Sequence, residues 1–193
     1  MEQHLDEYVD RLEAAVRALP REGMNQLGET LFRAYRNNKQ VFLLGNGGSS
    51  STSSHMAADL AKNTIGANMK RFRIVSLNDN AAIMTALAND LGYENVFSEQ
   101  LTNLVQAGDV LIVVSASGNS PNVLKAMRYA RTRSAEVVGL LGFDGGEAAK
   151  LADLALVVPS DHYGVVEDVH LIVNHILVDY FRARLAAARP WMV

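Results

Sequence analysis

The chain has 193 residues, 49% of them apolar and 20% charged, with a net charge of −3. That apolar mass is enough for one sizeable core and excludes a disordered or collagen-like chain. With no basic excess, a nucleic-acid partner is not expected. Without cysteine, disulfides, thiolate zinc sites, iron–sulfur clusters and cysteine nucleophiles are excluded together.

In chain order, the first pattern is a helical stripe of Leu5, Val9, Leu12, Val16 and Leu19, ended by Pro20 and Gly23. This segment is charged throughout, unlike a signal peptide. A second helical pattern runs from Met24 to Tyr35 through Leu27, Leu31 and Phe32. Two amphipathic helices ahead of any strand need a surface to cover, on their own subunit or on another copy. Five apolar runs follow: Gln40–Gly45, Arg73–Leu77, Val110–Ser117, Val137–Phe143 and Leu154–Ser160. Helical patterns lie between them at Ser53–Lys62, Ala81–Leu104, Pro121–Arg131 and Glu147–Ala152, and a last one runs from about Val165 to Ala186. Val-, Ile- and Leu-rich strands alternating with helices predict an α/β fold: a five-stranded parallel sheet, doubly wound in the flavodoxin-like manner, behind two N-terminal helices. The longest apolar runs are strand-sized, far below the ~20 residues a bilayer requires. No membrane partner is expected, and the expected location is cytoplasmic.

Ligands of such sheets bind at the carboxyl ends of the strands. After the first strand comes GNGGSSSTSSH, Gly45–His55. Its glycines let backbone N–H groups approach an anion, and the helix that follows adds partial positive charge. Ser50 stands where a dinucleotide fingerprint has its third glycine, and the ending of a P-loop is missing. A single phosphate or a sugar hydroxyl therefore suits this turn better than a nucleotide. After the third strand comes SASGNSPN, Ser115–Asn122, with three hydroxyls around Gly118 and Pro121 placed as the first helical residue. That is a neutral cradle for a phosphate monoester. Either loop alone also reads as a capped strand-to-helix turn; two of them in one sheet read as one site. Asn78, Asp79, Asn80, Asn89 and Asp90 read equally as sugar-hydroxyl partners or as helix caps.

GNGGS ahead of a helix with His55, then SASGNS, then GFDGG (Gly142–Gly146), then a last helix with His175, follow one another over nearly the whole chain. This series resembles the sugar isomerase (SIS) domain superfamily and, within it, the phosphoheptose isomerase family. That family interconverts sedoheptulose 7-phosphate and D-glycero-D-manno-heptose 7-phosphate by acid/base catalysis through an ene-diol, supplying heptose for cell-envelope glycans. The resemblance implies a helical oligomerisation segment at residues 1–37 and one SIS domain at 38–193. It implies that Ser115, Ala116, Ser117 and Ser120 hold the phosphate, while Asn46, Gly47, Ser49 and Asp90 contact the sugar. It also implies one Zn2+ per subunit on His55, Asp59, Glu167 and His175, with Asp59, Glu167 and His175 in proton transfer. A homotetramer is implied, with sites at subunit contacts.

The residue types fit that chemistry. His55 and Asp59, four apart, share a helix face, and imidazole with carboxylate suits zinc in a cysteine-free chain. Glu167 and His175 stand two turns apart, roughly 12 Å along an ideal helix. His175, within LIVNHIL, also reads as a buried histidine, and Asp59 as a surface charge. Several positions depart from the family pattern: Asp59 stands for a glutamate, Glu167 for a glutamine, Ala116 for a threonine and Thr52 for an aspartate. These departures keep a second reading open, a SIS module that binds sugar phosphates or associates with a replication initiator without isomerase activity.

Overall fold

The five apolar runs form the strands β1 (Gln40–Gly45), β2 (Arg73–Ser76), β3 (Val110–Ser115), β4 (Glu136–Leu141) and β5 (Leu154–Val157). They pair in parallel in the order β2-β1-β3-β4-β5. The computed structural model describes residues 1–66 and 69–187; residues 67–68 and 188–193 of the expected 38–193 domain lie outside it. Successive strand residues face opposite sides, and here both sides are dry. Val41, Leu43, Ile112 and Val114 belong to one core, and Phe42, Leu44, Leu111 and Val113 to the other. Burial on both faces is why these strands read as unbroken apolar runs.

Four helices cover the first core: α1 (Glu2–Arg17), α2 (Arg21–Arg36), α3 (Gly48–Lys62) and α8 (Tyr163–Ala187). The second core lies under α4 (Ala81–Leu91), α5 (Val96–Leu104), α6 (Pro121–Thr132) and α7 (Gly146–Leu151). Of the two leading helices, α2 is part of the core. Its Leu27 and Leu31 are fully buried, each contributing about 1.5–3 kcal/mol. Helix α1 buries only Ala15. It is tied to α8 by the Tyr8 hydroxyl, which donates to Asp168 Oδ2 at 2.7 Å. That bond, reinforced by burial, raises the Tyr8 pKa to about 12. Leu5 and Val9, on the same helix, are exposed.

Two helical segments differ from the sequence expectation by more than a turn. Ala81–Leu104, expected as one helix, is two: Gly92, at φ +90°, ends α4, and a 3-10 turn over Tyr93–Asn95 leads into α5. The break lets Val96, Phe97 and Leu101 of α5 enter the core, while no residue of α4 is buried. Helix α3 starts at Gly48, five residues before its apolar pattern. In its first turns Thr52 and Ser53 donate to the carbonyls of Gly48 and Ser49, so the stretch is helical without an apolar stripe to announce it.

The strand order changes direction between β1 and β3, the topological switch point where ligands bind in open α/β sheets. From there the chain leaves β1 for α3 on one face and β3 for α6 on the other. The glycine- and serine-rich loops are the two that part at this point.

Candidate active site

The loop after β1 is held by side chains from its neighbours. Gly45 N–H donates to Asn78 Oδ1 at 3.1 Å, and Asn78 Nδ2 donates to the Gly45 carbonyl at 2.9 Å. Asn80 caps α4, accepting from Ile83 N–H at 3.1 Å. Both asparagines are therefore engaged in structure. Gly48 opens α3, and a Cβ there would lie 2.5 Å from both carboxylate oxygens of Glu167. With no Cβ at Gly48, the Glu167 carboxylate rests against the start of α3, a favourable place for negative charge.

The loop after β3 is folded on itself and on the GFDGG segment. Ser115 Oγ accepts from Gly118 N–H at 3.1 Å, and Asn119 Nδ2 donates to the Ser117 carbonyl at 2.9 Å. From α7, Glu147 N–H donates to Asn119 Oδ1 at 3.0 Å, and Ala148 N–H donates to the Gly118 carbonyl at 2.9 Å. Gly118 has φ +63°, and a Cβ there would lie 2.1 Å from the Gly145 carbonyl oxygen. Ser115 and Ala116 are buried, Ser117 and Ser120 half-buried. Pro121 occupies the start of α6, where its missing N–H leaves nothing unsatisfied. GFDGG is thus the floor of the second loop, a role its sequence pattern did not reveal.

A reciprocal amide pair joins the loops. Asn46 Nδ2 donates to Asn122 Oδ1, and Asn122 Nδ2 donates back to Asn46 Oδ1, both at 2.9 Å. The Tyr93 hydroxyl adds a bond to Asn46 Oδ1 at 3.0 Å. Asn122 and Tyr93 were not among the expected site residues; the asparagine just inside a proline-started helix was the only local signal for the first. Ser49 is buried in the first turn of α3 and Gly47 is exposed at the rim. Asp90 is exposed near the end of α4, its carboxylate accepting from Asn89 Nδ2 at 2.7 Å.

Helices α3 and α8 lie side by side and run in the same direction, with Gly48 against Glu167 at one level and His55 and Asp59 against His175 further along. At this second level His55 Nε2 stands 3.1 Å and His175 Nε2 3.8 Å from Asp59 Oδ2. The two imidazole rings meet edge to face with centroids 5.3 Å apart. One ligand atom from each of the three residues lies within 4.8 Å of the others. Both histidines are exposed, whereas the Asp59 side chain is only 17% exposed. Two amides hold that carboxylate: Asn63 Nδ2 on Oδ1 at 2.9 Å and Asn174 Nδ2 on Oδ2 at 3.0 Å. Glu167 is not brought into this group. The start of α8 is regular helix, so two turns still separate Glu167 from His175.

Two imidazoles and a carboxylate, open to solvent on one side, match a three-ligand metal centre with a position left for substrate. A third histidine plays no such part: His170 is fully buried, its Nε2 against the Leu141 carbonyl at 3.1 Å. Burial pushes its pKa down to about 4, against the opposing effect of that carbonyl.

The family model of the SIS domain matches residues 3–142. A phosphoheptose isomerase of Sulfurimonas denitrificans is 43% identical over 145 residues, 75% of this chain and 74% of that one. Another, of Helicobacter pylori, is 38% identical over 177 residues, 92% of this chain and 91% of the relative. Among solved structures, the phosphoheptose isomerase of Neisseria gonorrhoeae superposes with a TM-score of 0.85 at 31% identity, covering 94% of this chain and 96% of that chain.

Proposed function

The chain belongs to the SIS domain family and, within it, to the phosphoheptose isomerases, and from this we propose that it interconverts sedoheptulose 7-phosphate and D-glycero-D-manno-heptose 7-phosphate. One observation carries the reading: two serine- and glycine-rich helix starts are clasped together at the switch point, beside a histidine–aspartate–histidine group.

The phosphate is held by the hydroxyls of Ser115, Ser117 and Ser120, by the backbone at Ala116 and by the positive end of α6. Asn46, Gly47 and Ser49 line the sugar, and Asp90 supplies a hydroxyl acceptor from the rim. Gly48 and His55 are seven residues apart, roughly 10 Å along α3. A sugar phosphorylated at one end then presents its other end, the reacting carbons, to the histidines. Glu167, nearer the loops, accepts from hydroxyls in the middle of the chain.

At the reacting end, C1 of the ketose gives up a proton. Its C–H electron pair becomes the C1–C2 double bond, and the carbonyl pair passes to O2. Return of a proton to C2, with transfer of the O1 proton to O2, completes the aldose. Asp59 and His175 move these protons. The residues that would hold a zinc ion, one per subunit, are His55, Asp59 and His175; when bound, it supplies polarisation of the carbonyl. Phosphate binding, remote from the bond changes, orients the substrate.

We place the chain in a cytoplasmic homotetramer that supplies heptose for cell-envelope glycans, with residues 1–37 as the oligomerisation segment. Three features support this: exposed Leu5 and Val9 on α1, an unburied α4, and, among the described residues, no helix long and apolar enough to cross a membrane. The test of the activity is incubation of the purified protein with sedoheptulose 7-phosphate, with and without added zinc, followed by chromatographic separation of ketose and aldose phosphates. Formation of the aldose is expected; its absence under both conditions overturns the proposal.

A further inference from the structure

The geometry points to Asn174 as a positioning residue: its amide fixes the Asp59 carboxylate so that one chosen oxygen faces the two imidazoles. Asn174 is fully buried on α8, within the apolar stretch Val173, Leu177 and Val178 that packs on the first core. A leucine would fill such a place without the cost of burying an amide. The amide is therefore there for what it touches. Its Nδ2 donates to Asp59 Oδ2 at 3.0 Å, and Oδ2 is the oxygen that stands 3.1 Å from His55 Nε2 and 3.8 Å from His175 Nε2. Asn63, one turn beyond Asp59 on α3, donates to the other oxygen at 2.9 Å. With one amide on each oxygen, both side-chain torsions of Asp59 are defined.

The orientation of the Asn174 amide follows from electrostatics. Turned over, its oxygen would face a carboxylate oxygen and repel it, so the nitrogen must face Asp59. The consequence is visible on the other side: Asn174 Oδ1 is buried with no hydrogen-bond partner among the described residues. Buried acceptors are rarely left unpaired, and one that is left so calls for a reason. The reason assigned here is that the fold forgoes a hydrogen bond at Oδ1 to keep the N–H on Asp59. An aspartate carboxylate stands on a single methylene, so its reach is short and its aim matters more. A carboxylate retains lone pairs for both an amide and a cation, and partners of this kind, behind the ligands, orient a metal site and tune its affinity.

This assignment rests on the cation-site reading of His55, Asp59 and His175, and its test separates the two. Zinc is titrated in competition with a chromophoric chelator into the wild type, Asn174→Leu and Asn174→Ala, and each metal-free protein is melted in parallel. Zinc affinity is expected to fall roughly 10- to 100-fold in both variants. The metal-free leucine variant is expected to melt close to wild type, since removing an unpartnered buried acceptor offsets the lost N–H on Asp59. The alanine variant keeps the test decisive if leucine does not fold. Folded variants that bind zinc within threefold of wild type overturn the assignment, and a wild type that binds no zinc at micromolar concentration overturns it together with the cation site. Turnover of sedoheptulose 7-phosphate is read separately: a wild type that binds zinc but forms no aldose overturns the isomerase reading, while the titration still decides the role of Asn174.

Discussion

The loop after β3 and the His55–Asp59–His175 group sit in one candidate site, yet they are built differently. The loop holds its backbone fixed: Gly118 N–H donates to Ser115 Oγ, its carbonyl accepts from Ala148 N–H, and its α-carbon presses on the Gly145 carbonyl. The histidine group consists of side-chain tips on two helices whose packing rests on other residues, among them Met56, Leu60, Val173 and Leu177. Where the backbone makes the site, binding and folding are inseparable. Where exposed side chains make it, chemistry can be removed and the fold kept.

The largest expected effect breaks the two apart. His175→Ala should lower turnover of sedoheptulose 7-phosphate by about 10²- to 10⁴-fold. Because the side chain is 54% exposed, stability should stay within about 0.5 kcal/mol of wild type. Steady-state kinetics and a thermal melt on the same preparation check both halves; unchanged turnover, or a large loss of Tm, contradicts the contrast. Next comes Gly118→Ala, which forces a Cβ into a positive φ and onto the Gly145 carbonyl. It should cost about 2–3 kcal/mol, seen as a Tm roughly 5–10 °C lower for a chain of this size, with phosphate affinity lost alongside. A variant that melts like wild type would show that the loop is softer than its packing implies.

The smallest effect concerns His170, buried where β4 meets α8. Its pKa lies near 4 in the fold, against about 6.5 in the unfolded chain, so the fold favours the neutral ring. That contribution is whole above pH ~6.5 and is lost as the pH falls towards 4, with about 2 kcal/mol gone by pH 5. Urea unfolding at pH 7 and pH 5 measures it. In His170→Gln the difference between the two pH values should shrink by that amount; an equal difference in both proteins would remove His170 as the cause.

Much of this molecule was legible in one dimension. Strands buried on both faces show as apolar runs, and a turn that must approach an anion shows its glycines. His55 and Asp59 declared their shared face by a spacing of four. What stayed hidden depends on partners distant in sequence. The clasp joins Asn46 to Asn122 across 76 positions, and the amide that steers Asp59 comes from Asn174, 115 positions away. The break at Gly92 was hidden for another reason: apolar residues continue on both sides of it, so periodicity alone runs straight through. Glu167 was expected beside the histidines, and only the steric gap at Gly48 shows where its carboxylate goes.

The parallel alignment of α3 and α8 has a mechanical corollary. Because Gly48 meets Glu167 and, further along, Asp59 meets Asn174 and His175, the spacing between the first loop and the histidine group is set jointly by two rods packed along one another. Redesign towards shorter or longer sugars therefore has to add or remove whole turns from both rods together. Editing the loops alone would move the grip and leave the gauge unchanged.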